Sequence, residues 1–499
     1  MDESLLLGID VGTTNCKALL FDRAGQPRGA GSVPTPLHRP GPGLAEHDAE
    51  ELWQAVVAAV RQALAVAGGG RVRGVGVASM AEAGVLLDRA GQPLHPIIAW
   101  FDSRTLPQQR WWLEQIGAPA TYALTGLTPR PIHGAMKLLW LRDHAPAAYA
   151  AAARWLNIAD YIAFRLCGAQ ATDASLAGRT LLFDLAARRW SSELIARAGL
   201  RGELLPELAQ AGTALGGITA AAAAETGLPA GVAVTVAGHD HICGAFAAGV
   251  AAPGDCLDSM GTAESLLLAL DRPRLDPALA GVCSCAAHVA RGRFCAQRGI
   301  PASGAAVEWA ARLFAWPQAE LPPRAAMLAA AAEAPPGSHG VLFLPGLAPG
   351  DRGAWLGLTD AAGPAALARA VYEGLACEWR RMLERIEDAT GLRATQVRVI
   401  GGGARAELWV QIKADVLGRP LHVLALSESV ALGAALLGGL AARLYANEAE
   451  ALAAVAPSAR TVAPDPQRAA FYDRLYREAF LPARAAIEPA HAAIEGLYN

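Results

Sequence analysis

Two stretches half a chain apart share one pattern, and that pattern limits the fold more than any other feature. Residues 5–22 read LLLGIDVGTTNCKALLFD. An apolar run ends in Asp10, a tight Gly12-Thr13-Thr14 turn follows, and a second apolar run, Ala18-Leu19-Leu20-Phe21, leads back out. This reads as a β-hairpin whose tip carries a carboxylate, a glycine and hydroxyls. From Gly254 the chain reads GDCLDSMGTAESLLLAL, so Gly261-Thr262 repeats Gly12-Thr13, again between strand-like runs. A repeat at half the length predicts two similar halves facing each other across a cleft.

Such tips suit phosphate. Glycine lets backbone N–H groups come close, and threonines add donors. A carboxylate beside phosphates works through Mg²⁺, directly or through its water shell. Read locally, the first tip is equally a plain turn with an exposed Asp. The copies differ in one useful way: Ser259 stands where the first has Asp10. One hairpin can therefore serve the metal while the other only holds phosphate. A third element lies at residues 397–405, VRVIGGGAR, where a β-rich run meets three glycines, followed by the helix-compatible AELWVQIKADVLG. Glycines here let backbone lie against a flat ligand or open a helix toward an anion. A plain strand–helix turn reads the same way, and the dinucleotide fingerprint is not met.

Together these segments resemble the FGGY carbohydrate kinases of the actin/Hsp70/sugar-kinase fold. Residues 7–22 resemble that family's first phosphate motif, 258–264 the second, and 401–420 the adenosine motif with its helix. Glu46-His47-Asp48 with Trp53, Trp100-Phe101-Asp102-Ser103-Arg104, and Thr172-Asp173-Ala174-Ser175 through Phe183-Asp184 resemble further family stretches in order. The resemblance spans nearly the whole chain. It implies an α/β fold of two duplicated ribonuclease-H-like (actin-like ATPase) domains flanking a deep cleft. It implies ATP and Mg²⁺ as cofactors. The phosphates are then held by Gly12, Thr13, Thr14, Asn15, Lys17, Gly261, Thr262 and Gly304, with Gly402, Gly403 and Ala404 at adenine and Asp10 on the metal through water.

Composition adds bounds. A chain of 499 residues exceeds what one core supports, so two large domains are expected. The formal charge is −3 with no basic block, which gives nucleic-acid binding little electrostatic support. The start, MDESLLLG, is acidic with a short apolar run, unlike a secretory signal. No apolar stretch reaches the roughly 18 residues of a membrane span. Eight scattered cysteines point to a reducing cytoplasm. Following the duplication, residues 1–250 are expected to form the first domain and 251–499 the second, with an insertion near 87–228. Helices are expected at 134–144, 155–167, 220–224, 329–332, 364–387 and 429–440. A homodimer stays open.

Moving phosphate to an alcohol needs a base near the hydroxyl. The candidate is Asp240 in VAGHDHICGA, where an apolar strand ends and small helix-compatible residues follow. An Asp at a helix start feels the positive end of the dipole, which favours its ionised form. An ordinary N-cap Asp reads alike, but the resemblance puts the family's catalytic Asp at this place. Relatives commonly have Gly-Asp-Asn or Gly-Asp-Gln, whereas Asp240 lies between His239 and His241. His239, His241 and Cys243, with Cys283, Cys285 and Cys295, can also be read as transition-metal ligands, though the spacing matches no common closed zinc site.

The substrate loop, residues 76–88, departs as well. By position, Glu82 falls on the His of xylulose kinases and the Glu of glycerol kinases, and Ala81 on the Arg of glycerol kinases. An ionised Glu82 accepts hydrogen bonds from sugar hydroxyls and repels a sugar acid; a solvated turn residue is the plainer reading. Met80, Ala81, Glu82, Asp102, Asp240 and His241 are the expected substrate contacts, with Asp102–Arg104 readable as a structural ion pair instead. The loop at 343–353 lacks the Gly-Glu-Arg-x-Pro stretch of relatives. The reading is an ATP-dependent kinase of a small neutral carbohydrate, a ketose, whose two domains close on the substrate. The alternatives are a polyol kinase, acting on glycerol or a tetritol, and a non-kinase ATP-binding conformational protein of the same fold. Neither nucleic acid nor a membrane is an expected partner.

Overall fold

Ser4–Val11 and Asn15–Asp22 form the expected hairpin, antiparallel, with Asp10 opposite Lys17. The computed structural model describes residues 4–313, 320–347 and 351–498. The first three residues of the amino-terminal reading, and residues 348–350 of the shortened loop, lie outside the described residues. The hairpin extends into a six-stranded sheet in the order Gly216–Gly217, Ala233–His239, Arg71–Ser79, Ser4–Val11, Asn15–Asp22, Pro27–Pro34. Its three central strands run parallel. They are buried nearly throughout, as a sheet covered on both faces requires.

Two helices supply the cover. Ala49–Ala67 packs against the hairpin side. Asp48 caps it, accepting from the N–H groups of Glu50 and Glu51, and Gly68 ends it at φ +65°, the usual start and stop signals. Its Trp53, Val56 and Val60 join Leu7, Ile9, Val77 and Val236 in one core. The other helix, Ser429–Ala441, comes from the far end of the sequence and packs on the central strands. Small residues on both sides allow this. A Cβ at Gly8 or Gly76 would collide with the carbonyls of Ala431 and Ala434.

That helix belongs by packing with the first half of the sequence. The chain packs as two compact units, Met1–Pro253 with Ala269–Ala296 and Glu428–Ala456, and Gly254–Leu268 with Gln297–Ser427 and Pro457–Asn499. Two segments that follow residue 250 in sequence, Ala269–Ala296 and Glu428–Ala456, thus pack with the first unit. The glycine-to-carbonyl fit binds one of them, the Ser429–Ala441 helix, to the first sheet.

In the second unit Asp255–Met260 and Glu264–Leu270 form the second hairpin. Asp255–Met260 runs parallel to Gln396–Ile400, which runs parallel to Leu421–Leu424, which pairs antiparallel with Ala459–Val462. The first unit has the same succession: hairpin, two parallel steps, antiparallel edge. The repeat legible at the turns is thus a repeat of sheet topology.

Between Ser79 and Ala233 the first unit carries the expected insertion, with its own core of Leu86, Trp112, Met136, Leu138, Trp155 and Leu181. The helices expected at 134–144, 220–224, 329–332, 364–387 and 429–440 are present as Gly134–His144, Ala220–Thr226, Pro323–Glu333, Pro364–Thr390 and Ser429–Ala441. The one expected at 155–167 begins only at Ile158. Arg154–Asn157 is a strand paired with Gly84–Leu87, and Asp160 Oδ2 accepts from the Asn157 N–H, fixing the helix start there. Among the described residues no helix is long and apolar enough to cross a membrane.

One buried polar cluster anchors the second hairpin. Lys413, on the helix Glu407–Leu417, bonds Asp258 and Glu264, and Ser303 donates to Glu264. The Lys413 Nζ also lies 4.9 Å from the centre of the Trp379 ring. Lys413→Met leaves two buried carboxylates without their cation. Breaking such a cluster costs about 3–5 kcal/mol, read as a lower midpoint in urea unfolding; a midpoint equal to wild type contradicts this role.

Candidate active site

Three neighbouring parallel strands of the first sheet end together. Val11 pairs with Ser79, and Ser79 with His239, so Asp10 and Asp240 belong to adjoining carboxyl ends. Ligands of open α/β sheets bind outside such ends. Asp240 is the first residue of the helix Asp240–Ala247, with His239 rather than Asp240 in the capping position. Its Oδ1 accepts the His241 N–H at 2.6 Å and lies 3.1 Å from His239 Nε2. Among the described residues nothing donates to Oδ2. The side chain is one-fifth exposed, so this oxygen is open to a ligand. The His241 ring is exposed, 5.4 Å from that of His239.

Asp10 is the more unusual carboxylate. Its Oδ1 is buried without a hydrogen-bond partner. Burial pushes its pKa up to about 8; Asp240 adds to the rise, Lys17 opposes it, and Glu428 adds again. A buried, unpartnered carboxylate oxygen beside a second carboxylate suits a hard cation.

The turn between the strands is fixed by its own backbone. Gly12 N–H donates to Asn15 O at 3.0 Å, and Thr35 donates through N–H to Thr14 O and through Oγ1 to Gly12 O. Thr13 and Thr14 are exposed. The Thr13 hydroxyl accepts from Trp100 Nε1 at 2.9 Å. This ties the turn to the Trp100 stretch, whose sequence alone suggests no site role for the tryptophan. Lys17 is ion-paired to Glu428 at 2.9 Å, a residue 411 positions away that no local pattern singles out.

Glu82 is not a solvated turn residue. It is 7% exposed and sits at φ +65°, a left-handed conformation rare for a side chain of this size. Its Oε1 accepts from Arg179 Nε at 2.6 Å and also from an Nη of the same guanidinium. Burial favours the neutral form, but the charges of Arg179, His133 and Lys137 and the Arg179 hydrogen bonds outweigh it, and the pKa falls below the usual range. Burial also pushes His133 down to about 3 and Lys137 down to about 8. Arg179 lies inside a family-like stretch, yet only the fold reveals its partner. Because Arg179 offsets the charge of Glu82, repulsion of a sugar acid is weaker than Glu82 alone implies. Glu82 Oε2 carries no bond among the described residues. Met80 and Ala81 are buried beside it.

Asp102 behaves differently. Both its oxygens are engaged, by Arg104 through backbone and guanidinium and by the Ala45 N–H, and Arg104 also bonds Glu46 at 2.6 Å. The geometry is that of a structural ion pair, with no oxygen left for substrate.

In the second unit Gly261, Thr262, Gly304, Gly402 and Gly403 line one pocket, joined by Glu308, Arg312 and Arg324. Ala404 is buried and does not line it. The helix Gly304–Leu313 starts against the hairpin tip: Gly304 N–H donates to Gly261 O, and Ala305 N–H to Thr262 O. A Cβ at residue 304 would strike the Gly261 carbonyl, so only glycine allows this approach. The two arginines are not singled out by any sequence motif. No disulfide joins any of the eight cysteines, and among the described residues no three His, Cys, Asp or Glu side chains gather as a metal site.

Comparison with known proteins shows the family. The N-terminal domain of the FGGY family of carbohydrate kinases matches residues 5–247, and its C-terminal domain matches residues 257–442. A glycerol kinase from Geobacter sp. strain M21 is 34% identical over 459 residues, 88% of this chain and 90% of the relative. A xylulose kinase from Klebsiella pneumoniae is 30% identical over 94% of this chain and 96% of its own. The crystal structure of xylulose kinase from Rhodospirillum rubrum superposes with a TM-score of 0.90 at 31% identity, covering 98% of this chain and 100% of that one. The chain belongs to the FGGY family of carbohydrate kinases. It is an enzyme, a phosphotransferase with an alcohol group as acceptor, built on the duplicated actin-like ATPase fold.

Proposed function

We propose that this kinase transfers the γ-phosphoryl group of ATP to a hydroxyl of a small neutral ketose. The observation that carries the reading is Asp240: a partly exposed carboxylate at a strand end, with one oxygen held and the other open. Oδ2 aligns the acceptor hydroxyl and takes its proton. Glu82, held by Arg179, offers Oε2 to a second hydroxyl. Gly12, Thr13, Thr14, Asn15 and Lys17 serve the phosphates, and the pocket lined by Gly261, Thr262, Gly304, Gly402 and Gly403 serves the nucleotide. Ala404 backs that pocket. Asp10 would hold Mg²⁺, with its unpartnered carboxylate oxygen Oδ1 fitting a hard cation; the ion would supply charge neutralisation at the phosphates. Asp102 supports the site as the partner of Arg104, and His241 borders the acceptor from its exposed position. Eight cysteines without a disulfide among them support a cytoplasmic enzyme.

A second reading, a polyol kinase, is favoured by the glycerol kinase relative at 34% identity. A phosphorylation screen over ketotetroses, ketopentoses, ketohexoses, polyols and sugar acids separates the two. The expected result is the highest kcat/KM with a ketose and little ATP turnover without acceptor. A polyol or a sugar acid ranking first overturns the ketose assignment.

Glu82 gives a sharper test. Glu82→Gln weakens a charge-assisted bond to a substrate hydroxyl and is expected to raise KM for the best ketose about tenfold. KM for ATP should stay within about twofold. The gap between that ketose and its deoxy analogue should narrow, since a site built on polar groups rejects analogues that leave them unpaired. An unchanged acceptor profile shows that Glu82 serves only its ion pair with Arg179.

A further inference from the structure

Thr13 stands at the tip of the first hairpin, on a backbone fixed by the bonds of Gly12 to Asn15 and of Thr35 to Gly12 and Thr14. Its side chain is exposed, and an exposed hydroxyl at a turn ordinarily samples several rotamers. This one is held from two sides. Trp100 Nε1–H donates to Thr13 Oγ1 at 2.9 Å, and Thr13 Oγ1 donates to Met80 Sδ at 3.8 Å.

The indole is in turn held by its own stretch of chain. Ile97–Ile98 pairs antiparallel with Glu46–His47, and the Ala99 N–H donates to Ala45 O at 3.0 Å. Beyond the tryptophan, the Asp102 N–H donates to Ala99 O at 3.1 Å. The Asp102 carboxylate accepts from the Arg104 guanidinium and the Ala45 N–H. Phe101 packs edge-on against the indole, with ring centres 5.3 Å apart. Asp102, which has no oxygen left for substrate, thus fixes the segment that carries Trp100.

The direction of each bond follows from the atoms. An indole N–H only donates, so Thr13 Oγ1 accepts from it and keeps one proton to give. In this structure the proton goes to a thioether, a weak acceptor. A phosphate oxygen is a far stronger one. An O–H whose oxygen already accepts a bond is also the better donor, because chained hydrogen bonds polarise one another. We propose that Trp100 is a positioning residue for phosphoryl transfer, its Nε1–H holding Thr13 Oγ1 so that the hydroxyl donates to a phosphate oxygen of ATP. This rests on the reading of the first hairpin tip as a phosphate site. A donor set in place beforehand needs no reorientation as charge shifts among the phosphate oxygens.

The test is a double-mutant cycle in full-length enzyme, with the acceptor ranked first in the screen. Trp100→Phe keeps an aromatic ring and removes the N–H; Thr13→Val removes the hydroxyl; a third variant combines them. Thr13→Val is expected to lower kcat/KM for ATP about tenfold or more, the scale of a hydrogen bond to a charged group. Trp100→Phe should lower it about fivefold, the scale of a neutral hydrogen bond. The double variant should fall no further than Thr13→Val, because a tryptophan that acts through the hydroxyl has nothing to act on once it is gone. KM for the acceptor should stay within about twofold in all three. Affinity for a non-hydrolysable ATP analogue, measured by calorimetry, should fall in the same order. The proposal is overturned if Trp100→Phe keeps kcat/KM for ATP within twofold of wild type, if its loss falls on acceptor KM, or if the two losses multiply in the double variant. Any of these with Thr13→Val impaired removes Trp100 alone. Should Thr13→Val itself match wild type, the phosphate reading of the tip fails first and the positioning role with it.

Discussion

Asp240→Asn is expected to lower kcat by about 10² to 10⁴, the usual contribution of general acid–base catalysis, with Tm and KM for ATP near wild type. The substitution keeps the shape of the side chain and leaves an amide oxygen that can still accept the His241 N–H. What it removes is the carboxylate oxygen free to take a proton. The pocket proposed for the nucleotide is lined by Gly261, Thr262, Gly304, Gly402 and Gly403, so its lining is untouched. Steady-state kinetics with the best acceptor, beside ATP titration by fluorescence or calorimetry, checks both halves of the expectation. A variant above half the wild-type kcat, or one whose loss traces to ATP affinity, removes Asp240 from the role of base.

Much of this architecture is legible in the amino-acid sequence, and the reason is physical. The tight turns at the two hairpin tips call for Gly12 and Gly261 locally, since a Cβ there would press on the carbonyls of Asn15 and Ala263, so both hairpins leave a mark in a few consecutive residues. The strand–helix junction at Asp240 is legible for the same reason. Features built by distant chain segments leave no such mark. Glu428 meets Lys17 because the helix Ser429–Ala441 packs onto the first sheet, and that packing depends on glycines at 8 and 76, each innocuous alone. The same docking explains why the unit boundary does not follow the sequence.

The pairing of Glu82 with Arg179 shows the limit most clearly. Position predicts that Glu82 is important, yet the residue that fixes its carboxylate lies 97 positions away. The left-handed backbone of Glu82 is equally invisible in sequence, where glycine or asparagine is the usual sign. Asp102 makes the converse point. Its motif suggests a substrate contact, but Arg104 two residues on and the Ala45 N–H use all its acceptor capacity that the fold leaves accessible. Motifs show which residues carry chemistry; partners brought by folding decide whether an atom is left to perform it.

Asp10→Asn should separate function from stability in opposite directions. In the metal-free protein, burial holds the pKa of Asp10 up at about 8 against an ordinary value of 3.8. The folded state therefore keeps a proton that the unfolded state releases. Stability from this group is fully present below pH 3.8, declines as pH rises, and is lost by about pH 8. Asparagine cannot ionise and escapes that loss. Without Mg²⁺, the variant should thus melt higher than wild type at pH 8, and the difference should shrink toward pH 4. Activity should move the other way. Asp10 is the anchor proposed for Mg²⁺, and outer-shell partners of a metal are worth about 10- to 100-fold in affinity or rate. The Mg²⁺ concentration for half-maximal rate should rise by about that factor, with partial recovery in excess Mg²⁺ and KM for the acceptor little changed. Thermal melts across pH in chelator, beside Mg²⁺ titrations of the rate, measure both. If acceptor KM rises steeply while the Mg²⁺ dependence stays at the wild-type value, Asp10 belongs to the acceptor and not to the metal.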